Sequence, residues 1–71
     1  MNAREWIQAY AERLGIEPPT SAEWSALLDL AAEAAHSSER VAAPIACWVA
    51  AKAGLDPGRA LTEAEQLGAD G

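Results

Sequence analysis

The chain has 71 residues, a formal net charge of −6 and 51% apolar content, much of it alanine. That length holds one domain, 1–71, near the lower limit for a core that sustains itself. The acidic balance and five dispersed basic residues exclude a binder of nucleic-acid backbones, whose affinity comes from clustered Lys and Arg. A single Cys rules out a disulfide within the chain and fits a reducing compartment. The N-terminus MNAREWIQAY is an amphipathic pattern with charges rather than a signal peptide. The longest uncharged run, Val41 to Ala51, is too short to span a membrane. A cytoplasmic protein is expected.

Asn2 with Glu5 three positions on is a capping-box start, and Ala3, Trp6, Ile7, Tyr10, Ala11 and Leu14 then fall at helical spacing. Helix 1 is predicted over 3–14, stopped by Gly15 with Ile16 behind it. Pro18-Pro19 stiffens the connection, and Thr20 with Glu23 repeats the capping box. Helix 2 is predicted from about 21 to 38, with Trp24, Leu27, Leu28, Ala31, Ala34 and Ala35 as its stripe and Leu30 widening it. Pro44 suits a first turn, so helix 3 is predicted over 44–53. Ala43 is a poor cap, and something else must satisfy those first amides. Only Lys52 is charged there, and a helix apolar nearly all round is either central in a bundle or part of an interface. Gly54-Leu55 stops helix 3, Asp56-Pro57 opens helix 4, and Gly68 is predicted to end it before a frayed tail, 69–71.

The pattern is all-α, a small four-helix antiparallel bundle joined by short links. Its expected core is Trp6, Ile7, Tyr10, Leu14, Trp24 and Leu27 from the first half of the chain. Leu28, Ala31, Ile45, Val49, Leu61 and Leu67 complete it. Leu28→Ala is expected to cost about 2–5 kcal/mol.

Asp29, His36 and Arg40, spaced by seven and four residues, fall within about 40° of one another along roughly 16 Å if the helix stays straight. A carboxylate, an imidazole and a guanidinium so placed could grip a partner or a small anion. The competing reading is a solvated face whose Glu33–His36 and His36–Arg40 neighbours contribute tenths of a kcal/mol. Cys47 and His36 could nominally pair as nucleophile and base. Ala46, Trp48 and Val49 give the thiol an apolar setting, so a structural role is expected. One His and one Cys supply too few ligands for a metal. Trp6 and Trp24 lie on apolar stripes, leaving Ile45 and Trp48 as the candidate interface residues.

Asp29-Leu30-Ala31, His36, Arg40, Ala42-Ala43-Pro44, the aromatic Trp48 and Gly54 resemble the core pattern of a small bacterial helical domain of unknown function. Trp6 is similar to a Trp in that family's first helix. The domain occurs alone or behind a molybdenum cofactor guanylyltransferase, the enzyme that attaches GMP to molybdopterin. The specific part of the likeness covers 29–54. The chain departs from the pattern at Ala32, where the family often has a basic residue, at Ala46 and Cys47, near which the family often has hydroxyl residues, and at Ala51, near which it often has a Gly.

The expected function is a non-catalytic helical interaction or accessory module, with no cofactor of its own. The resemblance implies molybdenum cofactor (molybdopterin guanine dinucleotide) maturation as its context. The partner is another protein, with a molybdenum cofactor guanylyltransferase implied by the resemblance and a homodimer open; nucleic acid and membrane are not expected. The alternative is a binding domain for an anionic small molecule, a nucleotide or pterin phosphate, held by Arg40 and His36.

Overall fold

Side-chain caps start three of the four helices. The Asn2 Oδ1 accepts from the Glu5 amide at 2.8 Å while Glu5 Oε1 accepts from the Asn2 amide at 2.9 Å. Thr20 and Glu23 make the same reciprocal pair at 3.1 and 2.8 Å. Asp56 Oδ1 accepts from the Arg59 amide at 3.0 Å. Each bond satisfies an amide that the helix itself leaves without a partner. The computed structural model describes residues 1–70: α1 Ala3–Leu14, α2 Ser21–Ser37, α3 Ala42–Lys52 and α4 Pro57–Asp70, with no strand among the described residues. It is a small all-α bundle.

Gly15 and Gly54 carry the positive φ expected of helix stops, 74° and 77°. The amide of Ile16 closes back on the Ala11 carbonyl at 3.0 Å, and that of Leu55 on Ala50 at 3.2 Å. Other boundaries moved. Helix α2 ends at Ser37, where the Ser38 hydroxyl donates to the Ala34 carbonyl at 2.7 Å. Helix α3 starts at Ala42, because the Glu39 and Arg40 carbonyls take the amides of Ala42 and Ala43 at 3.0 and 3.1 Å. Backbone thus supplies the cap that Ala43 lacks.

Gly68 does not end α4, which runs on to Asp70; the expected tail residue Gly71 lies outside the described residues. A Cβ at Gly68 would meet the Glu33 carboxylate and the Ser37 hydroxyl, which bond each other at 3.0 Å. The glycine serves close approach of α4 to α2 rather than termination.

Helix α2 is the hub, with α3 and α4 both packed along it. Leu30, 3% exposed, is the centre of the core, joined by Ala11 and Ala60. Seven of the twelve expected core residues lie at the surface. Trp6, Tyr10, Leu14, Leu28, Ile45, Val49 and Leu67 are exposed, whereas Ile7, Trp24, Leu27, Ala31 and Leu61 are half-buried. The reason on α2 is its nearly continuous apolar circumference over 27–35. Leu28 and Leu30 point about 160° apart, so only one can face the two packing helices. Leu30 does; Leu28 is 59% exposed, and the large cost expected for Leu28→Ala belongs to Leu30.

Helix α1 approaches the others less closely. Ala11 is buried, and the Arg4 guanidinium lies over the Trp24 ring at 4.7 Å, which ties α1 to α2. Trp6 and Tyr10 stack on each other at 5.1 Å on its outer shoulder. The molecule measures 38 × 23 × 19 Å with a radius of gyration of 12.6 Å, against about 11 Å for a compact chain of this length. Its accessible surface is 5444 Å², where a compact monomer of this size exposes about 4,200 Å². The bundle is open.

Candidate docking surface

Helix α3 packs its small residues and displays its large ones. Ala42, Ala43, Ala46 and Ala50, together with Cys47, form the half-buried side against α2. Ile45, Trp48 and Val49 are 62%, 63% and 53% exposed, with Ile45 and Val49 flanking the alanine row on its groove side. Positions 42, 46 and 50 recur at four-residue spacing, so alanine along one row lets two backbones approach closely. What remains outside is then every large side chain the helix owns. Ile45 and Val49, expected in the core, are surface residues for this reason, and the interface candidates Ile45 and Trp48 both stand in solvent.

Beside that row lies a groove of about 650 Å³ between α3 and α4. Leu30, Ala46, Ala50 and Ala60 line its inner part; Val41, Ile45, Val49 and Leu55 contribute its larger apolar side chains. Glu39 and Glu63 bring acid to it, and Glu63 pairs with Arg59 at 3.2 Å. A second cleft of about 440 Å³ shares Ala42, Ala46 and Ala64 with it and continues toward Leu67 and Gly68. Shape and chemistry suit an apolar helix face.

The polar trio is elsewhere. Asp29, His36 and Arg40 are all exposed, Asp29 and His36 on the outer face of α2. Because α2 ends at Ser37, Arg40 sits in the turn before α3 rather than on a shared helical row. Among the described residues no hydrogen bond or ion pair joins the three, and Glu33 bonds Ser37 rather than His36.

Cys47 lines a cleft with Ile16, Pro19, Leu27 and Leu55, whereas His36 is exposed on α2. Burial pushes the Cys47 thiol up from its ordinary value of 9.0, which disfavours the thiolate that a nucleophile needs. The fold therefore holds this proton more tightly than the unfolded chain does. That contribution to stability is complete below pH 9.0 and is lost as pH rises through the raised value. Chemical denaturation above pH 9.0 should show wild type losing more stability than Cys47→Ala; equal losses would mean that the thiol is solvated.

A small all-α domain with an inside-out third helix and an apolar groove beside it defines the class. The chain belongs to the family described as a domain of unknown function (DUF6457), whose model matches residues 1–69. No curated protein and no solved structure matches it. Among the described residues, no helix is long and apolar enough to cross a membrane, and no group of three or more His, Cys, Asp or Glu residues could hold a metal ion.

Proposed function

We propose that the chain is a non-catalytic interaction module that works by protein association through α3 and the groove beside it. One observation carries the reading: α3 turns Ile45, Trp48 and Val49 outward while its alanines face α2. Exposed apolar surface of this kind costs free energy in water and is removed when a partner covers it. The unreactive setting of Cys47 and the exposure of His36 on α2, away from that thiol's cleft, support a role without catalysis.

The resemblance over 29–54 supplies molybdenum cofactor maturation as context and a molybdenum cofactor guanylyltransferase as the partner to try. Titration of that purified enzyme from the same genome should give binding in the micromolar range. Trp48→Asp should weaken it at least tenfold, or about 1.4 kcal/mol, while Arg40→Ala leaves it unchanged. Loss on Arg40→Ala instead would shift the site to the polar trio and favour the anion-binding alternative. No interaction at high micromolar concentration would remove the molybdenum link.

A further inference from the structure

The docking reading leaves open what fills the groove, and the inference here rests on that reading. We infer that the occupant is a second copy of this chain, joined across a two-fold axis that runs α3 antiparallel to its partner. Each copy then lays Ile45 and Val49 into the other's groove.

Three observations lead there. The first is area. The chain exposes about 1,200 Å² more than a compact monomer of its size, and a stable interface buries about 800 Å² per partner. The surplus belongs to the whole open bundle, α1 included, and the large apolar side chains exposed on α3 are part of it.

The second is self-complementarity. A two-fold contact uses the same patch on both chains, so the patch must hold both projections and a recess to receive them. Ile45 and Val49 project from α3 and line the groove at the same time, beside alanines 46 and 50, whose short side chains leave the recess between them and α4. An unrelated partner would need only one of the two features.

The third is charge. A net charge of −6 opposes self-association, yet none of the acidic residues lies on α3. Its one charge is Lys52, near the C-terminal end, and Glu39 lines the groove just before the N-terminal end. Pairing α3 with its copy about a centre between Ile45 and Val49 carries Lys52 of each chain to the Glu39 end of the other. The register that buries the apolar residues therefore also pairs the charges, twice over by symmetry.

Sedimentation velocity on the full chain, across the micromolar range, should show a concentration-dependent monomer–dimer equilibrium. Ile45→Asp should raise the dissociation constant at least 100-fold, because the buried charge occurs twice, with helicity by circular dichroism unchanged since Ile45 is exposed in the single chain. Lys52→Glu should weaken the dimer about three- to tenfold, and adding Glu39→Lys should restore it. Trp6→Gln, on the outer shoulder of α1, should leave it unchanged. A strict monomer at several hundred micromolar overturns the inference, as does a dimer insensitive to Ile45→Asp, one dissociated by Trp6→Gln, or a charge swap without rescue. A strict monomer that still loses guanylyltransferase binding on Trp48→Asp overturns the second copy alone and leaves the docking reading standing. A dimer that obeys the charge swap while the enzyme fails to bind does the reverse to the molybdenum link.

Discussion

Leu30→Ala is expected to lower stability by about 2–5 kcal/mol, the range for removing a buried leucine without collapse of the site. Among the described residues Leu30 is the one large apolar side chain that is buried, and the other buried positions, Ala11 and Ala60, contribute little area. A domain of this length has about 4–10 kcal/mol in total, and an open bundle falls toward the lower end. The variant should therefore melt at least about 10 °C below wild type and populate unfolded chain near room temperature. Collapse around the missing side chain is restricted, because α3 and α4 already contact α2 through alanine and glycine. Leu28→Ala is the matched control. Two positions away on the opposite side of α2 and 59% exposed, it should change stability by about 0.5 kcal/mol or less. Melts by far-UV circular dichroism at low micromolar concentration keep association from adding to the result. Equal effects at the two positions would show that α2 presents the wrong face in this account.

Helix number, the starts of α1, α2 and α4 and the stops at Gly15 and Gly54 were readable because each is fixed by groups within five residues of one another. Asn2 with Glu5, Thr20 with Glu23, and Gly15 with Ile16 all close their bonds locally. The inner face of each helix was not so local. On α2, apolar residues surround the axis, and periodicity alone left Leu28 and Leu30 as rivals until the positions of α3 and α4 decided between them. On α3 the size of the residues was the better guide. Alanine at 42, 46 and 50 marks the row along which backbones approach, which leaves Ile45 and Val49 exposed beside it; reading those two as core inverted the helix. Gly68 misled for the same reason, since a glycine near a helix end can mean a stop or a contact. Interface candidates Ile45 and Trp48 came from the lack of charge on α3, and both side chains are exposed. The trio drew attention through its spacing, but the turn after Ser37 breaks the row that spacing assumed.

Ala60→Leu should destabilise the chain by about 1–3 kcal/mol although it adds apolar side chain. Ala60 is 4% exposed in the first turn of α4, its amide bonded to the Asp56 carbonyl at 3.0 Å. At the far end of the same helix, a methyl group at Gly68 would meet the ends of the Glu33 and Ser37 side chains and make them swing aside. With both ends of α4 held near α2, three further carbons at position 60 have two places to go. They can push α4 away from α2, which exposes Leu30 and lowers the melting midpoint in full. They can instead turn into the groove that Ala60 lines, which spares part of the stability and fills the recess proposed for the partner's Ile45 and Val49. Measuring the melt and the dimer dissociation constant together separates these, since the first loses stability in the isolated chain and the second loses mainly association. A raised melting midpoint with association intact would mean that the α2–α4 contact has space to spare, and that the surplus surface of the chain reflects loose packing rather than a surface built to be covered.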